Sequence, residues 1–294
     1  EETWRELALK DDNNFRDVAG LAYIENGQFI KTKVRERIRH IDSIPWPDWD
    51  TFPLEPYLDN AISFGPGSGR NMPIIASRGC PYECTFCSNP IMFGRRYYVR
   101  DIEDLIRQIK YYIKRYKITG LQFYDLTVII KKEWIVNFCN ALIENNINLQ
   151  WSLPTGTRSE ALDLDVIKAL AKAKLTYLVY APESGDEETL KRIKKKIKIP
   201  AVEQSVRYAV SQGIVTRTNL IIGFPGETRM QLYRTLRQQL KFIFMGVEES
   251  STFVFNAYPG TELFDQLLKE GKITLNDEFF ISLGWMSHYN ISPN

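Results

Sequence analysis

Three of the chain's four cysteines, Cys80, Cys84 and Cys87, fall within eight residues at a C-x3-C-x2-C spacing. Three thiolates on one short loop can hold three irons of a [4Fe–4S] cube. With no fourth cysteine close by, one iron stays open to a small molecule. Zinc is the competing reading. A closed zinc site needs four ligands, and the chain's two histidines, His40 and His288, lie far away in sequence. Cys139 could in principle complete a four-cysteine set. It falls beside Phe138 on a helix predicted over 131–144, where a buried structural cysteine is the expectation. Cysteines crowded this way point to a metal or cluster in a reducing compartment such as the cytoplasm, not to disulfides.

The elements that position this loop follow from periodicity. Strand-like apolar runs occur near 74–78, 121–125, 149–154, 176–181, 216–222 and 250–256. Helical patterns fill the gaps: Ile102, Leu105, Ile106, Ile109 and Ile113 on one face, with Gly120 as a stop; then Trp134, Ile135, Phe138 and Leu142; later Leu232, Leu236, Leu240 and Ile243. Such alternation predicts right-handed βαβ units and a parallel sheet. Six units are too few for a closed eightfold barrel and fit an α/β partial (β/α)6 barrel. The first 70 residues differ. Short apolar runs around Asn26-Gly27 predict a β-hairpin. Ile44-Pro45-Trp46-Pro47-Asp48-Trp49 reads as an irregular aromatic strap packed on something larger, and Gly65-Pro66-Gly67-Ser68-Gly69 as a flexible loop.

Composition bounds the answer. The chain has 294 residues, 44% hydrophobic and 25% charged, a globular profile. Its net charge of +2 gives no bulk pull toward nucleic acid or anionic membrane, and no run of 18 apolar residues exists to span one. The first residues, Glu-Glu-Thr-Trp, carry neither an initiator Met nor an apolar signal core, as expected for the remainder of something longer.

Chemistry in parallel α/β folds gathers at the C-terminal strand ends. Those ends here carry Ser77-Arg78-Gly79-Cys80-Pro81-Tyr82-Glu83-Cys84-Thr85-Phe86-Cys87, then Asp125, Thr155-Gly156-Thr157-Arg158, Pro182-Glu183-Ser184-Gly185, Gly223-Phe224-Pro225-Gly226-Glu227-Thr228 and Tyr258-Pro259-Gly260-Thr261. The cysteine loop, with Phe86 before its last cysteine, resembles the signature of the radical S-adenosylmethionine (SAM) superfamily, whose fold is the partial (β/α)6 barrel. Together with the strap, the flanking segments resemble the branch that carries an N-terminal cobalamin-binding domain. The opening Glu-Glu-Thr-Trp-Arg-Glu-Leu resembles that domain's last helix. The resemblance thus implies a linker and remnant over 1–70, a radical SAM core over 71–294, and a cobalamin domain largely missing from this chain.

What the resemblance implies for mechanism is reductive cleavage of SAM at a [4Fe–4S] cluster to a 5′-deoxyadenosyl radical, which takes a hydrogen atom from a small-molecule substrate. The branch includes corrinoid-linked methyltransferases and ring-forming enzymes. It implies a low-potential electron donor such as ferredoxin or flavodoxin. Cys80, Cys84 and Cys87 would ligate the cluster. Phe86 would lie against the adenine. Glu183 and Ser184 would meet SAM's ribose and amino end, and Arg158 the methionyl carboxylate or Glu183. Asp125 would stand where relatives hold SAM's ammonium, although Leu126 follows where they often carry a second acid. Gly223 and Gly226 would support the adenine side through backbone groups.

Other features read more plainly. Lys191-Arg192-Ile193-Lys194-Lys195-Lys196-Ile197-Lys198 is expected to be a solvated helix end after a helix over 187–196; an acidic electron donor or an RNA is the alternative, and no RNA-binding module is visible. His40 is not part of an Asp-x-His-x-x-Gly cobalamin anchor, since residue 38 is Ile and residue 43 is Ser. His288 is expected to be exposed. Rival readings are a cobalamin-independent radical SAM enzyme, and a non-catalytic relative using the barrel as a scaffold.

Overall fold

The computed structural model of the chain describes residues 1–12, 14–65 and 69–282. His288 and positions 66–68 of the glycine-rich loop lie outside the described residues. The chain divides into two compact units, Glu1–Trp46 and Pro47–Asn294.

The first unit holds helix α1 (Glu2–Ala8) and the hairpin β1 (Ala22–Glu25) and β2 (Gln28–Lys31). Asn26 and Gly27 take φ of 52° and 77°. Two positive φ values make the turn whose twist matches the strands it joins, so Asn-Gly forms the expected hairpin. Arg35 ties the hairpin's exit to α1: its Nε donates to Thr3 Oγ1 at 2.8 Å and to Ala19 O at 3.1 Å.

The second unit begins with a short 3-10 turn over Trp49–Thr51. The Trp49 indole donates to Tyr112 OH at 3.0 Å, so this part of the strap docks on a helix as expected. Then follow α2 (Glu55–Asp59), β3 (Asn71–Ile74), β4 (Ser77–Arg78), α3 (Asn89–Met92), β5 (Tyr98–Val99), α4 (Ile102–Tyr116), β6 (Gly120–Phe123), α5 (Lys132–Glu144) and β7 (Gln150–Thr157). The chain continues through α6 (Leu164–Lys172), β8 (Leu175–Glu183), α7 (Glu187–Arg192), α8 (Ile199–Ser211), β9 (Val215–Ile222), α9 (Arg229–Phe244), β10 (Glu249–Val254), α10 (Glu262–Lys269) and α11 (Asp277–Ser282). Six strands form one parallel sheet in the order β10-β9-β8-β7-β6-β3. Strand order follows chain order throughout, and β3 and β10 are the two edges. This is the open α/β partial barrel that the alternation predicts.

Three details differ from the periodicity reading. The first strand is Asn71–Ile74, not 74–78, because the chain leaves the sheet after Ile74. The Ala76 amide turns to the Asp125 carboxylate at 3.0 Å, and Ser77–Arg78 pair antiparallel with Tyr98–Val99. Helix α4 stops at Lys117, which takes a left-handed conformation (φ 52°, ψ 42°), while Gly120 opens β6. On α9 the buried residues are Thr235, Gln238 and Phe242, while Leu236, Leu240 and Ile243 are exposed. Polar bonding decides that face: Thr235 Oγ1 accepts from the Gly185 amide at 3.1 Å, and Gln238 donates to Glu203 at 3.0 Å.

Two apolar clusters hold the sheet. The larger fills the helix layer against β6 to β8, centred on rings of Phe123, Phe138 and Trp151 at 5.4–5.7 Å, with Trp134 stacked on Phe138. Cys139 is fully buried within it. The smaller joins Phe224, Phe255, Leu263, Phe264 and Phe279 to Leu190, Ile193 and Ile199, and Phe86 packs on its edge. Because Phe138 is fully buried between ring neighbours, Phe138→Ala is expected to lower stability by about 3–5 kcal/mol. Urea denaturation checks this, and a loss under 1 kcal/mol would mean the ring cluster carries little of the packing.

Candidate active site

The cysteine loop leaves β4 through Gly79, whose φ is 80°. A Cβ there would stand 2.0 Å from the Arg96 carbonyl oxygen, so no other residue fits this departure. The middle of the loop is pinned on both sides. The Thr85 amide donates to Ile193 O at 3.0 Å, and the Thr85 carbonyl accepts from the Leu263 amide at 3.1 Å. The Cys87 amide donates to Cys84 O at 3.1 Å and curls the last turn. Phe86 points inward, its ring 5.6 Å from that of Phe224. All four cysteines are free thiols, and Cys80, Cys84 and Cys87 are each partly exposed.

These three cysteines open onto a cavity of about 420 Å³ at the C-terminal rim of the sheet. Phe86, Arg158 and Glu183 line it with them, as do Asn89, Thr127, Gly156, Lys195, Asn219 and Tyr258. Four other candidates do not line it. Asp125 is fully buried, and its carboxylate accepts from the Ala76 amide at 3.0 and 3.1 Å and from the Ser77 hydroxyl. Ser184 is buried with its Oγ 3.0 Å from Thr235 Oγ1 and accepts from the Asp186 amide at 3.1 Å. The Gly223 amide donates to Glu227 Oε2 at 2.6 Å, and Gly226 sits in the same turn with φ of 73°. Cys139 is also away from the cavity, in the large apolar cluster, which pushes its thiol up to about 12.

Charge in the cavity is arranged differently from the sequence expectation. Arg158 does not pair with Glu183. Its Nε donates to Glu160 at 3.0 Å and its Nη2 to Lys196 O at 2.9 Å, while its guanidinium lies 3.4 Å over the Tyr82 ring. Glu183 pairs instead with Lys195, Nζ to Oε1 at 2.9 Å, and both residues are only 8% exposed. The basic run is therefore not uniformly solvated. Helix α7 ends at Arg192, Lys194 is left-handed (φ 54°), and the next helix starts only at Ile199. Ile193 and Lys194 form a turn after the helix, and along the link to the next helix Ile193 and Lys195 are buried while Lys194 and Lys196 are exposed. The sequence signal for a partly buried segment here is the pair Ile193 and Ile197 on either side of Lys195.

Glu183 itself has φ of 68°, and the Ser184 amide donates to Pro182 O at 2.9 Å across it. A non-glycine residue in this conformation is strained, and such strain clusters where a side chain must be aimed. It coincides with a shift in the β8–β9 register between Tyr180 and Glu183. The shift turns the carboxylate into the cavity.

Burial raises all three cavity thiols above the ordinary cysteine value. Lys195 pulls each of them the other way, and Arg158 does so for Cys80 and Cys84. Free, these are protonated thiols; metal binding would displace the protons and fix thiolates beside two cations. Among the described residues no three His, Cys, Asp or Glu side chains group closely enough to hold one metal ion. A cube, which takes one thiolate per iron, suits the donor set, and the cavity leaves space beside it for a small molecule.

Comparisons with known proteins bear on the family and the fold. The sequence profile of the radical SAM superfamily matches residues 74–238. An uncharacterised methyltransferase of Pyrococcus horikoshii is 25% identical over 293 residues, 99% of this chain and 60% of that protein. The anaerobic magnesium-protoporphyrin IX monomethyl ester cyclase of Cereibacter sphaeroides is 25% identical over 254 residues, 86% of this chain and 40% of that one. The chain therefore spans less than two thirds of the length of these relatives. In fold it is similar to the cobalamin-dependent SAM radical enzyme OxsB, solved with aqua-cobalamin and SAM bound, at a TM-score of 0.74 and 16% identity, covering 99% of this chain and 46% of that one.

Asp125 gives a pH test. Burial pushes its carboxyl up to about 6 from an unfolded value of 3.8. Between these values the native state holds the proton more tightly, so this contribution to stability is full below 3.8 and is lost as pH rises through 6. Asp125→Asn keeps an acceptor for Ala76 and removes the titration. Relative to wild type it should gain on the order of 3 kcal/mol between pH ~4 and ~7. Urea denaturation across that range reads the difference, and parallel curves for the two proteins would show that Asp125 is ionised throughout.

Proposed function

This chain belongs to the radical SAM superfamily, and we propose that it is the radical SAM core of an enzyme that cleaves SAM reductively to modify a small-molecule substrate. The observation that carries this reading is the convergence of three free thiols, two cations and one strained carboxylate on a single cavity at the strand ends. When bound by Cys80, Cys84 and Cys87, a [4Fe–4S] cluster supplies the electron that splits the sulfonium, giving methionine and a 5′-deoxyadenosyl radical.

The chain's own residues do the rest. Arg158 and Lys195 supply positive charge next to the cysteine loop, which favours thiolates and attracts a carboxylate such as the methionyl group. Glu183, aimed by its backbone and held by Lys195, accepts from an ammonium or ribose hydroxyls. Phe86 offers a ring to the adenine, backed by Phe224. Asn219 on β9 adds a polar contact further round the wall, while Leu126, Phe253 and Tyr258 line the cavity with apolar surface. These side chains exclude water and hold one substrate hydrogen near a reactive carbon. Ser184, Gly223 and Gly226 act one layer behind, holding the strand-end turns in place.

Corrinoid-linked methyl transfer is the net reaction we favour, supported by a methyltransferase among the relatives and by OxsB among the structures. Residues 1–70 then serve as the connector toward a corrinoid-binding domain and 71–294 as the core. A low-potential carrier such as flavodoxin or ferredoxin supplies electrons in a reducing, cytoplasmic setting. No helix among the described residues is long and apolar enough to cross a membrane.

Anaerobic reconstitution should give about four irons and four sulfides per chain, with 5′-deoxyadenosine formed on adding SAM and reductant. Replacing Cys80, Cys84 or Cys87 by Ala should abolish that product, while Cys139→Ala should leave it unchanged. A zinc-loaded, colourless protein would defeat the reading. Glu183→Gln should weaken SAM binding at least tenfold with iron content intact, about 1.4 kcal/mol. Equal loss of iron would make Glu183 part of the scaffold instead.

A further inference from the structure

On the outer side of the cysteine loop lies a second depression. A groove of about 790 Å³ is lined by Leu190, Ile197, Pro200 and Ala201, by Lys191, Lys194, Lys196 and Lys198, and by one acid, Glu187. The chain as a whole is nearly neutral, at +2. This local density of cations is therefore an exception that needs its own explanation. Lys191, Arg192, Lys194, Lys196 and Lys198 are all exposed. The acids nearby are Glu187 and Glu188 on the first turn of α7, and Glu262, which pairs with Lys194 at 2.6 Å. Among the described residues, Lys191, Lys196 and Lys198 make no ion pair.

The ridge that bears these lysines is also the back wall of the cysteine loop. Ile193 O accepts from the Thr85 amide, the Cys84 sulfur lies 3.9 Å from Lys194 O, and Lys196 O accepts from Arg158. One layer of backbone separates the basic surface from a cavity cysteine. Lys195, on the same stretch, reaches through to Glu183 inside the cavity. Basic charge is thus concentrated on the stretch whose backbone touches Cys84 through Lys194 O and Thr85 through Ile193 O.

We infer that this ridge and groove form the docking surface for an acidic one-electron carrier protein. The inference rests on the reading of Cys80, Cys84 and Cys87 as cluster ligands. Redox partners meet over small, transient interfaces steered by complementary charge. Apolar side chains set among lysines supply both the short contact and the steering field. A nucleic acid would use the same charges but would gain nothing from the adjacent cysteine loop, so the carrier is the occupant the geometry favours.

The test compares wild type with the triple variant K191E/K196E/K198E, after anaerobic reconstitution, and with K114E/K168E/K172E on exposed positions of α4 and α6 as a charge-matched control. SAM cleavage is driven either by reduced flavodoxin or by dithionite. The flavodoxin-driven rate of the triple variant should fall about tenfold or more at low ionic strength and lose its salt dependence, with the dithionite-driven rate unchanged and the control like wild type. An undiminished flavodoxin rate, or an equal loss in the control, would overturn the proposal. A loss with dithionite as well would assign the ridge to the active site and overturn it too. Flavodoxin binding is read separately, by fluorescence anisotropy, and must disappear in the triple variant; this arm stands even if no protein cleaves SAM, an outcome that would count against the proposed function alone. Tighter ridge-dependent binding of a poly-uridine oligonucleotide than of flavodoxin would make the surface a nucleic-acid site and end the proposal.

Discussion

A thiolate held half out of water is a costly charge, and three of them must share one rim of this sheet if Cys80, Cys84 and Cys87 bind metal together. Burial alone drives the protons back onto the sulfurs. The surrounding structure can be understood as the set of groups that oppose that tendency. Lys195 comes from the link between α7 and α8, and Arg158 from the end of β7. Each needs its own partner inside the protein, because a lone buried cation would be as costly as the thiolate. Glu183 and Glu160 fill those places.

The same constraint sorts the carboxylates of the rim into two kinds. Asp125 is buried among backbone and hydroxyl donors, and it turns the chain out of the sheet after Ile74 so that the cysteine loop can begin. Glu227 closes the turn after β9 by accepting from Gly223. Glu183 alone of the three lines the cavity. Its left-handed backbone and the register shift beside it are the local cost of aiming it there. Loop position is fixed just as firmly: the two backbone bonds of Thr85 and the contact of Phe86 with the smaller apolar cluster hold the cysteines between α7, α10 and β9.

Periodicity made the parallel sheet legible, because the runs of β6, β7 and β8 are buried on both faces and helical patterns separate them. The hairpin at Asn26-Gly27 was equally plain, since few other dipeptides accept two positive φ values. The cysteine spacing marked the site without any structure. What stayed hidden depended on contacts between distant segments. Lys195 looked like one cation in a solvated run, and only the break after Arg192 turns it inward. The α9 face was misjudged because polar bonds from Thr235 and Gln238 outweigh a leucine stripe. Asp125 carried the right chemistry at a strand end, yet nothing local says that its partners are Ala76 and Ser77, some fifty residues earlier.

The central claim is that the cysteine trio leaves one iron free for the methionyl end of SAM. Electron–nuclear double resonance on the reduced, reconstituted protein with SAM labelled by nitrogen-15 at its amino group tests it directly. The account predicts a nitrogen hyperfine coupling that appears only when SAM is added and is absent from the unligated cluster. A protein that binds SAM but shows no such coupling, or that carries no paramagnetic cluster after reduction, would contradict it.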